Sequence, residues 1–241
     1  MQNPLVQVLT FVLIPAVATL VGGALAAWRT PGPRLRSAIQ HFAAGVVFAA
    51  VAGELMPAVM HEGRPVAVIV GFALGVGLML GVKWLMEPGT DASSGSASPS
   101  RSLLIAVGVD FFVDGILVGV SFVAGEEAGM LVTFALTLEV LFLALATSAA
   151  LTSSGTSQRR AFGTVVALAL LLVAGAALGG AALAHLSGAL LEGVLSFGVA
   201  ALLYLVTEEL LTEAHEVPET PLTTATFFLG FLLLLLVEMA V

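Results

Sequence analysis

The sequence predicts an all-α membrane protein: eight transmembrane helices in a 3+2+3 arrangement with inverted three-helix repeats. Three observations predict it. Of 241 residues, 59% are hydrophobic and 10% charged, with a mean hydropathy of +1.10. A soluble domain built this way would lack the polar surface needed to cover its core. The apolar residues are gathered into eight runs, each long enough to cross about 30 Å of hydrocarbon. Finally, ELMPAVMHE at 54–62 and EELLTEAHE at 208–216 both begin with Glu and end with His-Glu. The first ends a helix expected to run outward and the second a helix expected to run inward, the signature of an inverted repeat.

The first run, 5–27, has neither the basic start nor the small-residue cleavage site of a leader, so it is expected to be retained. The second, 38–59, follows Arg29, Arg34 and Arg36 and carries Glu54; the third, 66–86, carries Lys83 near its end. Residues 1–86 thus form the first three-helix repeat. The segment 87–101, EPGTDASSGSASPSR, has no apolar content to fold it and reads as a flexible cytoplasmic linker. Runs 102–124 and 129–152 make a central helix pair within 102–152. Runs 160–185, 187–211 and 222–241 make the second, inverted repeat over 160–241.

Basic residues set the orientation. Arg29, Arg34, Arg36, Lys83, Arg101, Arg159 and Arg160 all flank odd-numbered connections, whereas Arg64 alone flanks an even-numbered one. Positive charge stays in the cytoplasm. Both termini are therefore expected outside a cell (inner) membrane.

Within this frame the fourth run, GVDFFVDGILVGVS at 108–121, stands out. Asp110 and Asp114 are four residues apart, so a helix projects both from one face. Gly115 and Gly119 continue the spacing and are read as leaving that side open to a close neighbour. Each buried carboxylate costs about 3 kcal/mol or more in hydrocarbon, so a cation is expected to meet them; a pair satisfied by hydroxyls or water is the alternative. Counting about 1.5 Å per residue puts Asp114 and Glu139, on the next helix, at one depth near the midplane. Asp110, Asp114 and Glu139 are therefore the candidate metal ligands. His41, Glu208, Glu209, Glu213 and His215 gather at the inner surface as candidates for an exit path. Glu54, His61 and Glu62 are candidates for an outer path.

Other classes fit less well. With no cysteine, neither a disulfide nor a thiolate zinc site is available. Eight Lys and Arg scattered through loops give no nucleic-acid surface. An intramembrane aspartyl-type hydrolase needs two acids facing a scissile bond, normally from different helices, whereas Asp110 and Asp114 share one. No Ser/His or HExxH arrangement offers another catalytic centre, so the chain is not expected to be an enzyme. The expected partners are the bilayer and the metal ion, and homodimerisation stays open.

HFAAGVVFAAVAGELMP (41–57), VDFFVDGILVG (109–119) and YLVTEELLTEAHE (204–216) resemble the second, fourth and seventh helices of the ZIP family of divalent metal transporters. The resemblance runs over nearly the whole chain and suggests a divergent prokaryotic-type member. It implies transport of a divalent cation (zinc, iron or manganese class) toward the cytoplasm by alternating access, with the outer three-helix units rocking against the central pair. It also aligns Asp110 with the family's metal-binding histidine, Asp114 with its carboxylate and Glu139 with the first fifth-helix ligand. This chain departs from the pattern at Phe111, where the family has Asn, and at Leu143, where it has a second fifth-helix ligand. One ion rather than two is implied. A metal-sensing relative that does not transport is the remaining alternative.

Overall fold

The computed structural model describes residues 4–28, 32–86, 101–183, 186–218 and 220–239. Among them the chain is helical throughout, with no strand. In order the helices are α1 (Pro4–Phe11), α2 (Leu13–Trp28), α3 (Pro33–Ala50), α4 (Met56–Glu62), α5 (Pro65–Met86), α6 (Arg101–Ala124), α7 (Glu126–Ser153), α8 (Gln158–Leu183), α9 (Ala189–Tyr204), α10 (Leu211–Ala214) and α11 (Pro221–Glu238). Seven stretches among the described residues are long and apolar enough to cross a membrane: Leu5–Ala26, Pro33–Met60, Pro65–Trp84, Glu126–Ser153, Gln158–Ala181, Ala189–Ala214 and Pro221–Glu238. The 24-residue α6 carries both aspartates in its interior.

Sequence and structure differ most at the ends of the second and seventh runs. α3 begins at Pro33, which suits the first turn because proline has no N–H to leave unpaired. It then continues through one wide π-turn, Val51–Leu55, into α4. α9 continues through a second, Leu205–Leu210, into α10. The defining i→i+5 bonds are Met56 N–H to Val51 O and Leu211 N–H to Val206 O. Glu54 and Glu208 each occupy the fourth position of their π-turn, so the two Glu-initiated repeats coincide with the same backbone irregularity. A π-turn leaves one carbonyl less well bonded and re-aims the side chains beyond it. The linker residues 87–100 and His185 lie outside the described residues.

Close packing groups the helices. α6 lies against α8, α2 against α7, α3 against α11 and α5 against α9. Glycine makes these approaches possible. A Cβ at Gly22 would fall on the Leu141 carbonyl, at Gly45 on that of Phe227, at Gly71 on that of Gly193, and at Gly115 on that of Leu172. The glycine stripe on α6 thus meets α8, not the partner of the aspartates. Gly115 is one residue, about 100°, round the helix from Asp114, so the two stripes occupy adjacent faces. The expectation that they share a face is corrected.

Candidate metal centre

α6 and α7 are joined at Gly125, so the pair is antiparallel and its interior positions meet at matching depth. There Asp110, Asp114 and Glu139 each present one carboxylate oxygen, and the three oxygens lie within 4.8 Å of one another. All three residues are buried, with relative exposures of 9%, 1% and 2%. Asp110 Oδ1, Asp114 Oδ2 and Glu139 Oε2 are buried without a hydrogen-bond partner. Three acids with idle oxygens in an apolar interior repel one another and lack compensation, an arrangement that a divalent cation would resolve. The donors are all oxygen, which suits hard or borderline divalent ions with water completing the shell.

A cleft of about 220 Å³ leads to Asp110, lined also by Met79, Lys83, Leu143, Tyr204, Glu208 and Glu209. A smaller one, about 50 Å³, lies against Glu139 and is lined by Arg36, Gln40, Leu143, Glu209 and Glu213. Leu143 lines both clefts and gives them an apolar wall beside the acids.

The candidates at this basic end fall into two sets. Glu208, Glu209 and Glu213 line the clefts, while His41 and His215 do not. The two histidines meet each other, ring centroids 5.3 Å apart and edge-on. His41 Nδ1 is 2.9 Å from the Ser37 carbonyl, and His215 Nδ1 contacts that of Leu211. At the mouth the acids already hold cations of the chain itself. Lys83 Nζ donates to Glu208 Oε2 at 2.7 Å, and Arg36 Nη2 to Glu213 Oε2 at 2.9 Å. Gln40 Nε2 donates to that same oxygen. Both pairs are well exposed, in the class worth about 0–1 kcal/mol, so they open readily.

Sequence reasoning passed over Gln40, Tyr204 and the second role of Lys83 and Arg36. Tyr204 carries a buried hydroxyl and lines the Asp110 cleft with Lys83. Its position four residues before Glu208 put it on the same helix face, a signal that was available. In the sequence the basic side chains stand out only as topology markers. At the opposite end Glu54 is half-buried, and a Cβ at Gly53 would come 2.6 Å from Glu238 Oε2, so α3's π-turn packs against the end of α11. The side chains of His61 and Glu62 lie outside the described residues.

No family model matches the chain. Over 197 residues, however, it is 31% identical to the zinc transporter GufA of Myxococcus xanthus, covering 78% of this chain and 77% of the relative. An all-helical membrane protein related to this degree over most of both chains shares its family. The chain belongs to the membrane metal-transporter family that includes the zinc transporter GufA.

Proposed function

We propose that the protein carries a divalent cation of the zinc, iron or manganese class into the cytoplasm by alternating access. Asp110, Asp114 and Glu139 serve as its ligands at the midpoint of the path. The observation that carries this reading is the convergence of three buried carboxylates with unpartnered oxygens at the head of a cleft. The relative's name makes zinc the first ion to test, while the oxygen-only donor set suits manganese or ferrous iron equally. Each carboxylate replaces part of the ion's hydration shell. On the basic side, Glu209 receives the ion, and Glu208 and Glu213 exchange Lys83 and Arg36 for it.

With α6 counted, the chain has eight spans in the ZIP-type 3+2+3 order. An inverted repeat is supported by the two π-turns and by the pairing of helices. Exchanging the two halves maps the α6–α8 contact onto α7–α2, and α5–α9 onto α11–α3. The same pairing argues for a moving unit larger than the central pair. α6 and α7 are packed against α8 and α2, so these helices move together against α3, α5, α9 and α11. The conformation is open on the basic side. Toward the other side the site is followed by Leu117, Val118, Val132 and Leu136, all buried.

The bias of seven basic residues to one end supports an orientation with that end in the cytoplasm of the inner membrane and both termini outside. Because the chain has no native cysteine, single cysteines at Ser96 and Glu126 can be labelled cleanly. They should react from opposite faces of sealed vesicles; reaction of both from one face would overturn the orientation. The transport reading is tested by uptake of zinc, manganese, iron, calcium and magnesium into proteoliposomes. Failure of every ion to enter above protein-free vesicles, with binding intact, would favour a sensing role. At the exit, Glu209→Gln should slow zinc uptake at saturating ion more than Glu208→Gln, whose oxygen is already held by Lys83 at the mouth. Equal effects would remove Glu209 from the path.

A further inference from the structure

A cavity of about 830 Å³ shares no lining residue with the acidic cleft. It is walled by Val70 and Leu74 of α5, Gly193 and Phe197 of α9, Ile116 of α6 and Leu178 of α8. It therefore lies in the seam between the two helix groups, on the outer face of the bundle. Val70, Leu74 and Leu178 are 53%, 62% and 50% exposed, so the groove opens sideways. Along α5 it extends from Pro65 to Leu74, which at about 1.5 Å per residue is roughly 14 Å. That is about half of a 30 Å hydrocarbon core, the depth of one leaflet. Among the described residues that line it, Arg64 is the charged one, and it stands at the shallow end. Its side chain lies over Gly188, at the N-terminus of α9, where a helix dipole also favours an anion. Glu192, buried beneath, accepts the Arg64 backbone N–H at 2.9 Å.

We infer that this groove is a binding site for one membrane phospholipid, with an acyl chain along the seam and the phosphate at Arg64. Water does not fill an apolar groove, because it finds no hydrogen-bond partners there. A second helix would need a longer trough than one leaflet. Bulk lipid is as apolar as the groove, so retention rests on packing against Gly193 and Phe197 and on the contact at Arg64.

Gly193 allows a selective test. A Cβ there meets the Ala67 carbonyl at an ordinary 3.5 Å, so the first carbon of Gly193→Phe is accommodated and its ring is aimed at filling the groove. The full chain is purified in mild detergent and titrated with phosphatidylglycerol, then with phosphatidylcholine, and bound lipid is counted by native mass spectrometry. Wild type should hold one phospholipid, and Gly193→Phe should bind at least about tenfold more weakly, a loss of roughly 1.4 kcal/mol. Val70→Phe, filling the groove from the opposite wall, should do the same. Arg64→Gln should weaken phosphatidylglycerol more than a neutral diacylglycerol. Added lipid should raise the melting temperature of wild type but not of Gly193→Phe, which also separates lost binding from lost fold. Equal lipid retention by wild type and both filled variants would overturn the site. So would disulfide cross-linking of two copies through cysteines at Val70 and Leu190, since the groove would then hold a second copy.

Discussion

Replacing Asp114 with Asn should nearly abolish metal uptake while leaving the protein folded. Asparagine keeps the side-chain shape but removes a charge from a residue that is 1% exposed and has an oxygen without a protein partner. Because the three acids repel one another in an apolar interior, losing one charge should relieve the empty site, so melting of the ion-free protein should be unchanged or improved. The ion, by contrast, loses one of three protein ligands. Removing a mere outer-sphere partner of a metal ligand already costs about 10–100-fold in affinity, so loss of a ligand should cost at least that. Glu126→Gln, on an exposed turn at the start of α7, removes the same charge without touching the site and should change uptake less than about twofold. Isothermal titration of zinc and manganese into both variants, alongside vesicle uptake, separates binding from movement. Because a ligating carboxylate must be deprotonated, wild-type affinity should also fall as pH is lowered. Equal, small effects of the two substitutions would sink the assignment of Asp114.

What the sequence made legible follows from how costly each feature is. Acids at 110, 114 and 139 are conspicuous because hydrocarbon penalises them, and their depth could be counted from the 1.5 Å rise of a helix. The Glu-initiated repeats at 54 and 208 were visible as letters, but the π-turns beneath them were not. Such a turn spans five or six residues without proline or glycine at a fixed place, so nothing in hydropathy marks it. Face assignment was weaker for the same reason. Asp110/Asp114 and Gly115/Gly119 have identical spacing with an offset of about 100° that helix geometry dictates, but only the location of α8 shows that the glycines meet a different neighbour. The grouping of α6 and α7 with α2 and α8 was hidden as well, since it depends on which glycines meet which carbonyls. Charges at the mouth were misjudged in role rather than place. Lys83 and Arg36 obey the topology rule and also hold Glu208 and Glu213.

The grouping of helices carries the second large effect. Gly115 packs so closely on α8 that a methyl group there would coincide with the Leu172 carbonyl oxygen and crowd the Ala176 N–H. Both obstacles are helix backbone, so neither yields by rotating a side chain. Gly115→Ala should therefore push α6 from α8 and destabilise the protein by about 1–3 kcal/mol, the usual cost of overpacking a core. The gain in helix propensity from Gly to Ala, about 1 kcal/mol, offsets only part of this. Gly77→Ala on α5, where nothing lies within 4 Å of the added carbon, isolates that propensity term. It should raise stability by up to about 1 kcal/mol. The two variants are compared by thermal melting in the same detergent. Because Asp114 is the preceding residue, displacement of α6 also moves the site against Glu139, so Gly115→Ala should lose zinc binding even below its melting temperature. If Gly115→Ala melts and binds zinc like Gly77→Ala, then α6 is not seated on α8 through this glycine. The movement of α6, α7, α8 and α2 as one body would lose its main support.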